Sequence, residues 1–302
     1  MAFSAKDVQT LREKTGCGMM DCKKALQSSD GDMDKAIEYL REKGIAAVAK
    51  KAGRIAAEGI VYAEVNADLK VGVVLEVNAE TDFVAKNDKF QSFVKVCADT
   101  IAAANPADVD ALLAVKAAGS TQTVNELLQE IVLTIGENIK VRRFVRFEGD
   151  LVTYIHGDGR IGVMVKFDTD VATKPGFEAY SKDIAMQIAA INPPYLDKES
   201  VPVEALEEEK KILTAQAINE GKPANIAEKI VMGRMGKFYK EMCLVEQDFV
   251  KDSELTIAKY TDKIAKELGG SIKITQFVRY EKGEGLQKRE DNLADEIANM
   301  VK

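Results

Sequence analysis

The stretch "VGVVLEVNAETDFVAKNDKFQSFVKVCADTIAAANP" (71–106) has a second copy in the chain, "IGVMVKFDTDVATKPGFEAYSKDIAMQIAAINP" (161–193). Gly72 aligns with Gly162, Phe90 with Phe177, Phe93 with Tyr180, and Asn105-Pro106 with Asn192-Pro193. Each copy reads as a strand, a loop and a helix. A further apolar stretch precedes each, "GIVYAEVN" (59–66) or "LVTYIH" (151–156), and the joining turns "ADLK" and "GDGR" predict β-hairpins. A third strand closes each copy, "NIKVRRFVRFE" (138–148) or "SIKITQFVRYE" (271–281), pairing Ile139 with Ile272 and Phe144 with Phe277. The fold class expected is α+β: two related subdomains, each a three-stranded antiparallel sheet backed by helices.

The copies differ in two places. Gly72 lies 18 positions before Phe90 but Gly162 only 15 before Phe177, so the first copy is longer within "AETDFVAKND". The same scaffold folds with the shorter loop, which weakens a folding role for Thr81, Asp82, Phe83 and Val84 and favours a role outside the fold. In the second copy, 79 positions separate Pro193 from Ile272, against 33 from Pro106 to Ile139. The surplus falls between Asp197 and Met242 and reads as a helical hairpin around "NEGKPAN". Gly221 closes its first helix and Pro223 prevents simple continuation. Leu206, Leu213 and Ala217 are expected on one face of this hairpin and Ile226, Ile230 and Phe238 on the other.

The flanks are helical. Ser4 and Asp7 form a capping start, Val8 and Leu11 share a face, and "TGCG" breaks the first helix. A second helix runs from about Met19 to Ser28, and Asp32 caps a third in which Met33, Ala36, Ile37 and Leu40 recur at helical spacing. Three short helices make a marginal core, better suited to docking than to an active site. "GIAAVAKKAGRIAAEG" (44–59) reads as a helical tether. Leu286 to Lys302 reads as a terminal amphipathic helix with Leu293, Ile297 and Met300 on one side; it either detaches or packs on the body. The divisions expected are 1–53, 54–150, 151–283 with the insertion 197–242, and 284–302.

Composition narrows the chemistry. The 302 residues are 46% hydrophobic and 30% charged, with a net charge of −7 that argues against a nucleic-acid surface. No apolar run approaches the roughly 20 residues that span a bilayer, and the start enters a helix directly, without a signal or transit pattern. The four cysteines lack metal spacing and read as reduced thiols of a cytoplasmic protein. One histidine, no tryptophan and no phosphate loop leave little for nucleotide hydrolysis. No cofactor or metal is expected.

Three groups of residues stand out. Asp82 and Phe83 either cap a helix and fold inward or face a partner. Met19 and Met20 either fill core gaps or, flanked by Arg12 and Lys23, form an adaptable contact surface. His156, beside "GDGR", reads as a surface turn residue. Two other classes compete: an enzyme with Glu80 and Asp82 as paired acids, and a nucleic-acid adaptor built on "KKAGR" (50–54).

"LREKTGCGMMDCKKAL" (11–26) and "EVNAETDFVAKN" (76–87) resemble the two signature segments of the bacterial elongation factor Ts family, guanine nucleotide exchange factors for elongation factor Tu. The resemblance extends over the whole chain. It implies an N-terminal module similar to ubiquitin-associated domains, a duplicated core, a coiled-coil hairpin and a C-terminal helix. It implies that Arg12, Met19, Met20 and Lys23 grip elongation factor Tu. It also implies that Asp82 and Phe83, within Thr81 to Val84, intrude near the magnesium site of the GDP-bound partner, yielding a nucleotide-free complex. Ile135, Gly136 and His156 match further contact positions. "DFVKD" (248–252) also falls at a contact region, but Lys251 stands where a familiar homologue has Met. The implied partner is elongation factor Tu, without direct nucleic acid or membrane.

Overall fold

The computed structural model describes residues 3–15, 17–68, 70–221 and 223–288, with the backbone alone for 224–228. It opens with helices α1 (Ala5–Thr15), α2 (Met19–Ser28) and α3 (Met33–Lys51). Ser4 and Asp7 cap α1 reciprocally, and the Asp32 carboxylate accepts the Lys35 N–H at the start of α3. Leu11, Cys22, Leu26 and Leu40 close a small core. The third helix runs on through the first half of the expected helical tether and ends at Lys51; residues 52–57 are turn and coil, and Glu58 and Gly59 already belong to the first strand, so the tether is not helical throughout. No Pro interrupts α3, its last turns are rich in Ala and Lys, and the helical Gly44 brings it against a later helix: a Cβ there would lie 3.3 Å from Gln129 Cβ.

The first copy follows as β1 (Glu58–Asn66), β2 (Val71–Ala79), α4 (Asp82–Ala85), α5 (Asp88–Ala104), α6 (Val109–Ala114), α7 (Val124–Ile135) and β3 (Lys140–Glu148). The second comprises β4 (Asp150–His156), β5 (Ile161–Thr169), α8 (Phe177–Ile191), the hairpin α9 (Val203–Asn219) and α10 (Ala224–Met242), a 3-10 turn (Leu244–Glu246), β6 (Asp248–Phe249), β7 (Asp252–Thr256), α11 (Ile257–Leu268) and β8 (Ile272–Glu281). The two main sheets have orders β1-β2-β3 and β4-β5-β8, antiparallel throughout.

The duplication holds in detail. Leu75 pairs with Phe144 as Val165 pairs with Phe277, and each sheet is irregular at one equivalent point, Glu76/Val77 and Lys166/Phe167. Asn105 and Asn192 end α5 and α8 in the left-handed conformation, and the following Pro stops each helix. Arg146 Nε reaches the Ala102 carbonyl at 3.2 Å and pairs with Glu148; Arg279 Nε reaches Ala189 at 3.4 Å and pairs with Glu281. The helices α7 and α11 end on left-handed Gly136 and Gly269.

One face of each sheet is covered by helices. Val73, Leu75 and Val77 pack with Phe90, Val94, Ile101 and Ile131; Val163, Val165 and Phe167 pack with Tyr180, Ile184 and Ile257. The other faces meet around Val61, Val74 and Met164. With both faces covered, all nine residues of β2 are buried, which explains its apolar opening Val71–Leu75; the buried Glu76 and Asn78 that follow are hydrogen-bonded. The aligned glycines are the points of closest approach: a Cβ on Gly72 would collide with Met164 and Leu151, and one on Gly162 with Val61.

The hairpin seam is formed by Leu213 against Val231 and Met235, with Leu206 and Phe238 beside them, and Ala217 is buried further along the first helix. On the second helix Val231, rather than Ile230, shares the face of Phe238, because seven residues nearly close two turns and eight overshoot by most of a residue. The side chain of Ile226, and the terminal positions Leu293, Ile297 and Met300, lie outside the described residues.

Candidate functional site

The extra loop of the first copy begins where β2 leaves the core at Ala79. Thr81 precedes α4 without capping it; its hydroxyl donates instead to Glu137 Oε1 at 2.7 Å. The other carboxylate oxygen of Glu137 accepts the N–H groups of Glu80 at 3.1 Å and Thr81 at 3.0 Å. Glu80 answers by accepting the Asn138 N–H at 2.6 Å, and Arg54 pairs with the same oxygen at 3.3 Å. The loop is thus buckled to the segment that enters β3.

From this base the four-residue helix divides inside and outside. Phe83 is 82% exposed and Asp82 is exposed, whereas Val84 is 5% exposed and packs in the first core. Val84 therefore departs from its expected place among the outward residues: a four-residue turn has two faces, and the apolar Val anchors the inner one. Asn87 accepts the N–H groups of Lys89 and Phe90, starting α5 at once. Capping is therefore the work of Asn87, and Phe83 is not tucked into the core.

The N-terminal residues form a second surface. Arg12 from α1 and Met19, Met20 and Lys23 from α2 line one groove of about 870 Å³ with Phe3 and Val8. Met19 is 57% and Met20 63% exposed, so they are not core fillers. Below them Cys17 and Cys22 are buried, and burial pushes both thiols up from their ordinary range. Lys89, in the first turn of α5, lines the same groove, which therefore borders the Phe83 loop.

Ile135 and Gly136 end α7 immediately before Glu137, which ties them to the base of that loop. Ile135 is partly buried against the first core and Gly136 is exposed, with a left-handed φ of 86°. His156 is apart. It is the exposed last residue of β4, its Nδ1 lies 3.1 Å from the Tyr154 hydroxyl, and no described contact links it to the loop or groove. In the β6-β7 turn Val250 is 52% exposed, while Lys251 is held by Asp183 at 2.7 Å.

Glu137 and Asn138 were not among the residues singled out from sequence, although the alignment of copies sets Glu137 against Gly270. That difference was the available signal.

An Elongation factor TS family model matches residues 80–284. Elongation factor Ts of Clostridium perfringens is 53% identical over 301 residues, covering 99% of each chain. The Clostridium botulinum protein of that name is 50% identical over 302 residues, again 99% of each chain. That of Trichlorobacter lovleyi is 49% identical over 305 residues, covering 99% of this chain and 98% of the relative.

Proposed function

The chain belongs to the elongation factor Ts family of translation elongation factors, and from that premise we propose that it binds elongation factor Tu and promotes release of GDP, allowing GTP to rebind. It engages both the GDP-bound and the nucleotide-free partner, the latter more tightly. Exchange needs no covalent step, because a difference in affinity between two states is enough to shift their populations.

The observation that carries this reading is Phe83, a large apolar side chain 82% exposed on a turn whose base is buckled by hydrogen bonds. A side chain so placed adds little to its own fold and is ready to enter another. Phe83 acts as the wedge, Asp82 holds the displaced polar groups near the magnesium site, and Thr81 and Val84 fix the turn from below. Arg12, Met19, Met20 and Lys23 form the docking groove, where methionines adapt to a partner helix. Ile135, Gly136 and His156 supply further contacts. All of this takes place in the cytoplasm, with no cofactor of the protein's own.

The division of labour follows from magnitudes. Moving a population from 1:99 to 99:1 requires about 5.5 kcal/mol of differential binding. One buried Phe contributes roughly 1.5–3 kcal/mol. Several contacts must act together, and a groove bordering the wedge supplies them. The test is release of labelled GDP from elongation factor Tu with and without this protein. Faster release at substoichiometric amounts is expected; an unchanged rate at saturating protein contradicts the proposal.

A further inference from the structure

We propose that Glu137 is a positioning residue for the wedge, its carboxylate holding the strand exit so that Phe83 is presented in one orientation; the inference rests on the exchange reading above. One carboxylate accepts three hydrogen bonds from the two residues that lead into α4, from Glu80 N, Thr81 N and Thr81 Oγ1. Phe83 begins only two residues later. Being 82% exposed, it has little packing of its own to orient it, and its direction is inherited from the backbone on either side. On the far side Val84 is buried and Asn87 caps α5. Glu137 completes the near side.

The second copy separates what the fold needs from what the wedge needs. There Asp170 Oδ1 accepts the Ser271 N–H at 2.7 Å, the counterpart of Glu80 accepting Asn138 N–H. This half of the buckle is present in both copies and belongs to the scaffold. The other half is not: the position of Glu137 is Gly270 in the second copy, where a Cβ would collide with Asp170 and Val171. Both copies otherwise continue through a left-handed glycine, Gly136 or Gly269, into the third strand. The scaffold closes without a carboxylate at this point, and the carboxylate stands only in the copy that carries the exposed Phe. Such preorganisation strengthens binding by lowering the cost of ordering the loop in the complex.

Amide hydrogen exchange on the free protein and GDP release from elongation factor Tu test this together, with Glu137→Ala, Glu137→Gln, Phe83→Ala and the double variant Glu137→Ala/Phe83→Ala. In Glu137→Ala the Glu80 and Thr81 amides are expected to exchange about tenfold faster or more, the equivalent of one charge-assisted hydrogen bond. GDP release slows, and adding Glu137→Ala to Phe83→Ala slows it no further, since the two act through one element. Glu137→Gln retains a side-chain acceptor and falls between Ala and the parent, which guards against a folding defect in Glu137→Ala. Unchanged amide exchange, or slowing that adds fully to that of Phe83→Ala, overturns the proposal. Parent-like, accelerated GDP release by Phe83→Ala refutes the wedge role of Phe83, and no acceleration by the parent protein refutes the exchange reading, while the amide measurement still decides whether Glu137 holds the loop.

Discussion

At the residue scale the most constrained charge is Glu76, fully buried in β2. Its carboxylate accepts from Arg142 at 3.0 Å, Arg143 at 2.6 Å, Asn78 at 3.0 Å and the Gly283 N–H at 2.8 Å. Burial alone would raise its pKa, but these hydrogen bonds hold it below the usual carboxylate range. A lowered folded-state pKa contributes stability that is fully present above the unfolded value, about 4.3, and is lost as pH falls through the folded one. Glu76→Ala is expected to cost about 3 kcal/mol in urea unfolding at pH 7, because Arg142 loses its carboxylate partner and the buried Gly283 N–H its acceptor, while Arg143 keeps Glu284. The advantage of the parent over Glu76→Gln should shrink below about pH 4; an advantage independent of pH would contradict the ionised assignment. By contrast, Met19→Ala/Met20→Ala should change stability by no more than about 0.5 kcal/mol per exposed site. The same double variant should weaken binding to elongation factor Tu, as titration calorimetry would report. Residues of this second kind could be singled out in sequence but not placed: the residues alone left Met19, Met20 and Phe83 open between core and surface, and the comparison of the copies and the family resemblance favoured an outward role for Phe83. Glu76 and Glu137 could not be singled out: apart from Asn78, the partners of Glu76 lie 66 to 207 positions away and those of Glu137 56 and 57, and only the folded sheets bring them together.

At the element scale the duplication carried most of the fold. Strand, hairpin and helix recur because each copy must bury the same sheet face, so the pairing of Phe144 and Phe277 with equivalent strand residues followed from alignment alone. What the alignment did not reveal was where elements fuse. The third helix takes in residues 44–51 of the tether, where Gly44 packs against α7, a contact between residues 85 apart, and leaves 52–57 as turn and coil. The helical hairpin is the counter-case. It appears in one copy only, its seam is internal, and its neck is closed by Tyr195 N–H on the Met242 carbonyl at 3.2 Å. Replacing residues 203–238 with a short Gly/Ser linker should leave a cooperatively folding protein that still accelerates GDP release. Loss of the thermal transition would show instead that the hairpin braces the second core.

At the scale of the whole molecule, two sheets meet through a pair of glycines, and the seam sets how the docking groove, the Phe83 loop and His156 are disposed on one body. Gly162→Ala should destabilise by about 1–3 kcal/mol, because the added methyl collides with the stiff, buried Val61. Gly72→Ala should cost less, since the more adaptable Met164 can yield. Equal costs in chemical unfolding would argue against this view of the seam. The body so assembled presents Phe83 outward while taking no stability from it. The most direct measurement is therefore Phe83→Ala, with the melting temperature and the rate of labelled GDP release from elongation factor Tu determined on the same preparation. A thermal transition within a degree or two of the parent with clearly slower release is the predicted result. Loss of about 3–5 kcal/mol, the cost of a core Phe, with normal release per folded molecule would contradict it.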